Sequence, residues 1–396
     1  MPDASISIKS RDFRNVVSLA QRVVERRNTR PILSMLRCRA NGSFEVSGTD
    51  LDILLTAKVD HGGGPNADFI LPQAANVAKA VRAGGDELVS IIPGSKSVAV
   101  ASGALALKVG NALHTDDFPD GVFDIAADTF TATLSHQQLR SLSRVASAVS
   151  TEETRYYLNG IFIHHLSGTT YRAVATDGHR LCYYDLELPD AMGSLQGIIL
   201  PRKALRLLLG MSGKPANADR GIALTVGRIN TPNRETSTAP EPAAAAPRAR
   251  ITMQVGKVDV CMSTKLIDGK FPDYMRVVPA GDGKTILFKA ADLRRAVEAV
   301  SAGSGRLRAI RLNFDSSGAS IRTHFVDTGI DGTFRIDCQH NAKGFEVGFN
   351  ATYLLEMLDA AGPGEFAMIV TDPSAPALIK NPADTAWTGL LMPVRV

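Results

Sequence analysis

Apolar and polar positions follow the same order three times along the chain of 396 residues. Each repeat begins with a short alternating stretch, which predicts a strand because successive side chains of a strand point to opposite faces. The three stretches are Ser5–Lys9, Phe130–Leu134 and Thr285–Lys289. Apolar residues three and four positions apart follow each strand and predict an amphipathic helix with one face in a core. These helical stripes begin at Phe13, Leu139 and Leu293.

A second helix is predicted in each repeat, directly after a short apolar phrase. The phrases are Ile70-Leu71-Pro72, Ile199-Leu200-Pro201 and Gly348-Phe349-Asn350. Their middle residues follow the first-helix anchors at the similar distances of 58, 61 and 56 residues. We expect the prolines in the first helical turn, where an N–H group would have no partner inside the helix. Such regular spacing indicates internal repetition of one folding unit.

Strand-rich segments with turns lie between the two helices of each repeat, which predicts an α+β fold with helices packed on antiparallel sheets. We expect three tandem modules, at 1–127, 128–280 and 281–396. Sheets of neighbouring modules can pair edge to edge, whereas the outer edges of the first and third modules stay open. A head-to-tail contact between two chains, made twice, would close these edges in a ring-shaped homodimer.

One segment interrupts the repeat. Phe118-Pro119-Asp120 near the end of module one returns as Phe271-Pro272-Asp273 in module two, but 27 residues later relative to the first-helix anchor. The excess lies within residues 228–250, where proline, alanine and threonine are frequent. Such a composition cannot bury enough apolar surface to order itself, so we expect a disordered insertion between two strands. The alternative is a docking segment for a partner.

Composition excludes several classes of protein. With 44% hydrophobic residues, the chain has enough apolar material for several cores. No apolar run approaches the roughly 18 residues that span a bilayer, and Met1–Arg14 has no apolar signal-peptide core. The four cysteines lie far apart, without the spacing of a metal site or a disulfide framework, so we expect a cytoplasmic protein. The net charge of +4 does not by itself indicate nucleic-acid binding.

Basic side chains on the predicted helices are more informative than the net charge. They lie off the apolar stripes on equivalent helices, which suggests one shared basic surface. Contacts of such cations to phosphates hold DNA without reading its sequence, as sliding along DNA requires. The second helix of module three differs, since it carries Glu356 and Asp359 and no basic residue. The cations are Arg11, Arg14, Arg22, Lys79, Arg82, Arg140, Arg144, Arg202, Lys203, Arg206, Arg294 and Arg295.

Candidate catalytic groups lack the partners that catalysis requires. The segment 281–285 ends like a phosphate-binding loop, but Val278 stands where that loop needs a glycine. Asp177 and His179 lie close together without a nucleophile or a second pair of metal ligands. Similar phrases at Thr49-Asp50 and Asp327-Thr328 favour a turn in which the aspartate caps neighbouring amides. We therefore expect no catalytic residue, no metal and no cofactor.

Four motifs, in order along the chain, resemble those of one family. They are Arg155-Tyr156-Tyr157-Leu158-Asn159-Gly160, Ala175-Thr176-Asp177-Gly178-His179-Arg180-Leu181, Leu266-Ile267-Asp268-Gly269-Lys270-Phe271-Pro272-Asp273-Tyr274 and Met392-Pro393-Val394-Arg395-Val396. Over its whole length the chain resembles the bacterial DNA sliding clamp, the β subunit of DNA polymerase III. The resemblance implies three tandem DNA-clamp modules per chain and a ring of two head-to-tail chains around duplex DNA. It also implies no catalytic activity and a ring that an ATP-driven clamp loader opens.

The resemblance implies partners and the residues that bind them. The partners would be the DNA polymerase III α subunit, clamp-loader subunits, and other polymerases and repair proteins that present short clamp-binding peptides. A hydrophobic pocket between modules two and three would take the apolar anchors of such a peptide. Its residues would be Leu158, Thr176, Gly178, His179, Arg180, Leu181, Pro272, Val277, Asn350, Tyr353, Leu390, Met392, Pro393, Val394, Arg395 and Val396. Arg27, Tyr156 and Tyr157 match family positions that touch DNA, and they join Arg202 and Lys203 of the basic surface as DNA-binding candidates.

Three alternatives remain open at this point. Met392–Val396, taken alone, also fits a plain final strand. The leading interpretation is a sliding clamp and processivity factor, but an auxiliary or specialised copy that serves a repair polymerase has the same motifs. From a different class, a metal-dependent hydrolase centred on Asp177 and His179 would use the same turn.

Overall fold

The apolar stripes of the sequence form six α-helices in the part of the chain that the computed structural model describes. Those residues are 5–25, 28–61, 64–120, 123, 125, 127–212, 221–228, 247–280, 282–302, 309–325 and 329–395. The helices are α1 (Ser10–Ala20), α2 (Ala74–Gly84), α3 (His136–Ala146), α4 (Arg202–Met211), α5 (Ala290–Ser301) and α6 (Ala351–Ala361). The anchors Phe13, Leu139 and Leu293 are buried, which confirms the first-helix stripe in all three repeats.

All 26 strands of the described residues pair in antiparallel sheets. In chain order they are β1 (Ile6–Lys9), β2 (Leu36–Ala40), β3 (Ser43–Thr49), β4 (Ile53–Asp60), β5 (Ala67–Leu71), β6 (Leu88–Pro93), β7 (Ser97–Ser102), β8 (Leu105–Gly110), β9 (Ala127–Leu134), β10 (Gly160–Ser167), β11 (Thr170–Thr176), β12 (Arg180–Glu187), β13 (Met192–Gly193), β14 (Ile198–Pro201), β15 (Ile222–Arg228), β16 (Arg248–Val255), β17 (Val258–Lys265), β18 (Lys284–Lys289), β19 (Ala309–Asp315), β20 (Gly318–Phe325), β21 (Ile330–Ile336), β22 (Gln339–His340), β23 (Glu346–Asn350), β24 (Glu365–Val370), β25 (Ala377–Asn381) and β26 (Asp384–Leu391). Alternating burial along strands such as β4 gives one face to a core.

The chain divides into two units, and the middle repeat is shared between them. Unit one contains Met1–Gln137, Asp190–Leu195 and Lys203–Leu266. Its sheets have the strand orders β1-β6-β7-β8 and β13-β9-β15-β16-β17-β4-β3-β2-β5. Unit two contains Gln138–Pro189, Gln196–Arg202 and Ile267–Val396. Its sheets have the orders β14-β10-β11-β12-β26-β25-β24-β18-β22 and β21-β20-β19-β23.

Each nine-stranded sheet joins strands of two neighbouring repeats. In unit one β17 of the middle repeat pairs with β4, with Met262 opposite Leu55. In unit two β12 of the middle repeat pairs with β26, with Leu181 opposite Leu390. The predicted edge-to-edge pairing of neighbouring modules is therefore confirmed inside each unit. Strand pairing across each join also buries apolar side chains from both repeats.

The two four-stranded sheets, one in each unit, end on strands that have no further strand beside them in the described residues. One such end is β8, whose residues alternate between half-buried and exposed. Leu105, Leu107 and Val109 form its half-buried row. An end strand with an apolar row and free backbone N–H and C=O groups can accept another strand.

The position of the prolines differs from the prediction. Pro201 is the last residue of β14, and Pro72 lies between β5 and α2, so neither lies in the first helical turn. Both strands are end strands of their sheets, where a missing N–H costs no ladder hydrogen bond. The prolines therefore close the strands rather than open the helices. Arg27, Val396 and most of the expected insertion at 228–250 lie outside the described residues.

Candidate functional site

A short turn between β11 and β12, Thr176–Arg180, holds its shape through its own side chains. The Asp177 Oδ1 accepts hydrogen bonds from the His179 and Arg180 N–H groups at 2.9 and 3.0 Å. The Thr176 hydroxyl donates to the Arg180 carbonyl at 2.7 Å and accepts from the Gly178 N–H at 3.1 Å. Gly178 has φ +89°, a left-handed conformation that glycine adopts without strain. The predicted aspartate-capped turn is confirmed, and we call it the unit-two turn.

Arg180 ties the unit-two turn to α6. Its Nε donates to Asp177 Oδ2 at 3.1 Å, and its Nη1 pairs with the Glu356 carboxylate. The guanidinium also lies 4.7 Å from the centre of the Tyr353 ring, on which His179 stacks from 5.7 Å away. Arg180 is only 9% exposed, so these partners compensate a buried charge. Asp177 and Arg180 therefore serve to position the turn.

A cavity of about 370 Å³ opens beside the unit-two turn. Its floor is apolar, because Leu158, Leu181 and Leu390 line it and are buried. Its mouth is also partly apolar, since Val277 is 50% and Met392 is 39% exposed. The complete lining is Arg155, Tyr157, Leu158, Thr176, Gly178, Arg180, Leu181, Pro272, Asp273, Tyr274, Val277, Pro376, Leu390 and Met392. Such a cavity can take apolar side chains of a ligand, while the polar groups at its rim orient the ligand.

The cavity wall formed by residues 271–278 rests on a column of rings. Phe271 stacks on Phe162 with centroids 4.9 Å apart and planes at 7°. Phe162 stacks in turn on His164 at 5.0 Å, and His164 Nε2 lies 2.9 Å from the Tyr274 hydroxyl. Burial raises the pKa of the Tyr274 hydroxyl above its usual value. The stacked rings of Phe162 and His164 therefore support the wall on the side away from the cavity.

The residues expected in the peptide pocket fall into two groups. Nine of them line the cavity, namely Leu158, Thr176, Gly178, Arg180, Leu181, Pro272, Val277, Leu390 and Met392. The others described lie beside it. Asn350 caps α6 by accepting from the Thr352 and Tyr353 N–H groups at 2.9 and 3.3 Å. Pro393, Val394 and Arg395 line a separate groove of about 900 Å³ with Arg311, Glu346 and Asp372.

The C-terminal segment does not continue the last strand. β26 ends at Leu391, and the Met392 N–H donates to the His179 carbonyl at 2.9 Å. The Val394 N–H donates to the Gly348 carbonyl, also at 2.9 Å. These bonds hold the segment across the unit-two turn and β23. The alternative of a plain final strand over Met392–Val396 is therefore wrong for the described residues.

Five residues of the cavity were absent from the predicted pocket: Arg155, Tyr157, Asp273, Tyr274 and Pro376. Tyr157, a DNA-binding candidate from the resemblance, is half-buried and packs against the buried cluster under the cavity. Tyr156 is 54% exposed, and its ring lies edge-on to that of Tyr157 with centroids 5.8 Å apart. Gly269 makes this arrangement possible, because a Cβ there would lie 2.9 Å from the Tyr157 Cβ. The motifs that contain Tyr157 and Gly269 pack closely in the fold, and the sequence pattern alone does not predict this contact.

The cations of the helices form two classes, apart from Arg14 and Arg22, which donate to the Ser10 and Gly210 carbonyls. Arg11, Lys79, Arg82, Arg140 and Arg206 are exposed, and none of them makes an ion pair with a described residue. Arg202 is half-buried and likewise has no ion pair in the described ranges. These side chains remain available to an anionic ligand.

The second class of cations is neutralised by neighbouring carboxylates. The Lys203 ammonium lies 2.7 Å from Glu25 and also pairs with Asp50. Burial lowers the pKa of Lys203, but the hydrogen bonds and charges of Asp50 and Glu25 together outweigh burial, so the pKa is raised. Arg294 pairs with Asp359, and Arg295 pairs with Asp292 at 2.9 Å. Arg144 binds Asp384 and lies 5.4 Å from the Trp387 ring, inside unit two. The expected basic bias is therefore uneven, because module three offers only paired cations on these helices.

No three His, Cys, Asp or Glu side chains among the described residues lie together in a way that could hold a metal ion. No described helix is long and apolar enough to cross a membrane.

Comparison with known proteins places family domains in sequence along the chain. Residues 4–122 match the N-terminal domain of the DNA polymerase III beta subunit, residues 133–273 its central domain and residues 275–395 its C-terminal domain. The beta sliding clamp of Caulobacter vibrioides is 30% identical over 395 residues, which cover 95% of each chain. The beta sliding clamp of Pseudomonas aeruginosa is 27% identical over 393 residues, with 96% of each chain covered.

Solved structures of sliding clamps have the same fold. A DNA polymerase III subunit beta from Bartonella birtlesii, bound to griselimycin, is 30% identical and superimposes with a TM-score of 0.86 over 99% of this chain and 100% of its own. A Caulobacter crescentus beta sliding clamp with PEG bound to its putative beta-motif tethering region is 27% identical and has a TM-score of 0.84, with the same coverage.

Proposed function

Since this chain belongs to the DNA polymerase III beta subunit family, we propose that it is a DNA sliding clamp and processivity factor. The observation that carries the proposal is the match of all three family domains, in order, to the three repeats of the chain. Two chains would encircle duplex DNA and tether DNA polymerase III, other polymerases and repair proteins. The family is not enzymatic, and the protein would act in the cytoplasm by binding alone.

We infer that ring closure uses the four-stranded sheets at the two ends of the chain. These sheets retain end strands without a neighbour among the described residues, and β8 presents a half-buried apolar row. Pairing with the other end of a second chain would satisfy the backbone groups and cover this row. Light scattering at micromolar concentration should therefore give a dimer. The dimer should remain on nicked circular DNA only after clamp loader and ATP are supplied, and a strict monomer would contradict the proposal.

Duplex DNA would be held by the unpaired cations of the helices. Arg11, Lys79, Arg82, Arg140, Arg202 and Arg206 support this, because a cation without a protein carboxylate can exchange counterions with phosphates. Tyr156 would join them through its exposure, and Tyr157, whose ring lies edge-on to that of Tyr156, would do so as the resemblance implies. Lys203 would contribute less than the sequence suggested, since binding a phosphate would compete with Glu25 and Asp50. Arg27 would also contact DNA, as the resemblance implies.

A matched pair of arginines tests this assignment. Arg140→Ala removes an unpaired cation and should reduce the slope of log K against log salt concentration for duplex DNA by about 0.9 per lost phosphate contact. Arg295→Ala removes a cation paired with Asp292 and should leave the slope nearly unchanged. The measurement is DNA affinity over a series of salt concentrations. Equal slopes for both variants would refute the division into free and paired cations.

The cavity would be the partner site. Its buried leucine floor supports binding of a short peptide through apolar anchors, and Arg155 and Asp273 at the rim would orient the peptide. His179, Asn350, Tyr353, Pro393, Val394 and Arg395 would contact the flanks of the peptide from beside the cavity. Relatives from Bartonella birtlesii and Pseudomonas aeruginosa bind griselimycin, and we propose that this compound competes for the same cavity here.

Deleting Met392–Val396 tests the partner site. The deletion removes the Met392 edge of the cavity and the segment held by Gly348, and should weaken binding of a polymerase-derived peptide by about 100-fold or more. Isothermal titration gives the affinity, and light scattering should still show the dimer. Unchanged affinity in a dimeric variant would refute the pocket assignment.

The second candidate function is a specialised clamp copy that serves a repair polymerase. The long Pro/Ala/Thr-rich insertion at 228–250 favours it, since it adds a segment that the other two modules lack. Complementation of a clamp-deficient strain separates the two functions. The main replicative clamp should support growth, whereas a specialised copy should not.

A further inference from the structure

Unit one contains a second copy of the aspartate-capped turn, at Thr49–Ile53 between β3 and β4. The Thr49 hydroxyl donates to the Ile53 carbonyl at 2.8 Å and accepts from the Leu51 N–H at 3.1 Å. The Asp50 Oδ1 accepts from the Asp52 and Ile53 N–H groups at 3.0 and 2.7 Å. Every one of these bonds has its counterpart in the unit-two turn. We call this copy the unit-one turn.

The surroundings of the two turns correspond as well. The Lys265 N–H donates to the Asp52 carbonyl at 2.9 Å, just as Met392 donates to His179 in unit two. The registers of β2 with β5 and of β10 with β14 align the flanking strands in the same way. Buried leucine, isoleucine and phenylalanine side chains under the turns therefore match in pairs. The pairs are Leu33 with Leu158, Ile70 with Ile199, and Phe118 with Phe271.

The turns differ at the left-handed position. Gly178 has φ +89°, and Leu51 occupies the same place with φ +77°. A leucine in this conformation is strained, so the surrounding contacts must hold it there. Leu51 is half-buried and packs against the cluster of Ile32, Leu33, Met35, Ile70 and Phe118.

The Leu51 side chain points toward the space in unit one that is equivalent to the cavity in unit two. A Cβ built on Gly178 would lie 3.0 Å from Arg155 Nη1, and both residues line the cavity. A leucine at that position would therefore reach into the cavity. In unit one the leucine is present, and it covers the apolar cluster in which Leu33 corresponds to Leu158 of the cavity floor.

We propose that Leu51 is an internal occupant of a second, closed peptide site, and that it restricts each chain to one partner peptide. The inference rests on the proposed partner site in unit two. The strained leucine takes the place of the apolar anchor of a ligand. Two further differences lower the affinity of the closed site, because Ser263 and Lys265 stand where unit two has Leu390 and Met392.

Replacing the leucine should open the site. Leu51→Gly copies the unit-two turn, relieves the left-handed strain and uncovers the cluster. Calorimetric titration of the full chain with a polymerase-derived peptide should then show two sites per chain, the new one roughly 10- to 100-fold weaker than the original. Adding Lys265→Met should strengthen the new site by about tenfold.

A variant without the original site isolates the new one. The chain lacking Met392–Val396 should bind no peptide in this range, whereas the same deletion with Leu51→Gly should bind one. Leu51→Ala is the second opening variant if the glycine variant fails to fold, and far-ultraviolet circular dichroism checks the fold of each.

The outcomes distinguish this inference from the proposed function. If the wild-type chain binds one peptide and both folded Leu51 variants still bind only one, the occupant role of Leu51 is overturned and the partner site stands. If the wild-type chain binds no peptide, the partner site itself is wrong and the inference falls with it.

Discussion

The unit-one turn and the unit-two turn share their hydrogen bonds but differ in what fills the space beneath them. Under the unit-one turn, Leu51 covers a buried cluster. Under the unit-two turn, Gly178 leaves a cavity of about 370 Å³ over a similar cluster. A cavity can therefore be present in one copy of a repeat because that copy lacks a side chain that the other copy keeps.

The Phe-Pro-Asp motifs beside the two turns also differ in their ion pairs. In unit one, Asp120 of the Phe-Pro-Asp motif accepts hydrogen bonds from Arg37 at 2.7 Å and from Arg39 at 2.5 Å. In unit two, the equivalent Asp273 pairs with the exposed Arg276 at 2.8 Å and stands at the cavity rim. Asp120 of unit one, which we call the closed copy, therefore pairs with two arginines of the neighbouring strand, whereas Asp273 of unit two, the open copy, pairs with one exposed arginine at the rim of the cavity.

Filling the open copy should have the largest effect. Gly178→Leu reproduces the unit-one turn, in which a leucine at φ +77° is tolerated, so the variant should fold. Its side chain should occupy the cavity and weaken peptide binding by about 100-fold or more, as measured by fluorescence anisotropy. Gly178→Ala is the matched control, because its Cβ meets only the mobile end of Arg155 and should cost a few-fold at most. Unchanged affinity in the leucine variant would contradict the assignment of the cavity as the peptide site.

Changing the cavity edge to the unit-one residue should have a smaller effect. Met392→Lys copies Lys265 and replaces an apolar contact by a hydrated charge, which should weaken the peptide by about tenfold. Met275→Lys is a suitable control, since Met275 is also exposed in unit two but does not line the cavity. Titration calorimetry should show a loss only for Met392→Lys. A similar loss in both variants would mean that added charge, rather than the lost edge, weakens binding.

The sequence predicted the repeat because apolar periodicity is a local property, and the buried anchors Phe13, Leu139 and Leu293 follow from it. The resemblance also identified the cavity floor, at Leu158, Leu181 and Leu390. The resemblance could not predict that Tyr156 is exposed while Tyr157 lines the cavity, because both positions depend on close packing against Gly269. Ion pairs such as Lys203 with Asp50 form between residues that are distant in sequence. The position of Lys203 on its helix therefore predicted an unpaired cation, although its ammonium is paired.

The smallest expected effect concerns the ion pairs of the closed copy. Arg37 donates to both carboxylate oxygens of Asp68, at 2.9 and 2.6 Å, and this lowers the pKa of Asp68 below its usual value of 3.8. A lowered folded-state pKa stabilises the fold above the unfolded-state pKa, and this contribution is lost as pH falls through the folded-state pKa. Because Asp68 is 40% exposed, we expect Asp68→Asn to lower the free energy of unfolding by no more than about 1 kcal/mol at pH 7.

The difference in unfolding free energy between the wild type and Asp68→Asn should become smaller as the pH falls, because the Asp68 carboxylate of the wild type takes up a proton. Urea unfolding of wild type and Asp68→Asn at pH 7 and again near pH 3 measures this convergence. Asp268→Asn, at an exposed loop position of unit two, controls for the loss of one negative charge. A difference that persists unchanged at the lower pH would show that Asp68 stabilises unit one through packing. In that case the ion pairs around Asp68 and Asp120 would not account for the difference between the two units at the Phe-Pro-Asp motif.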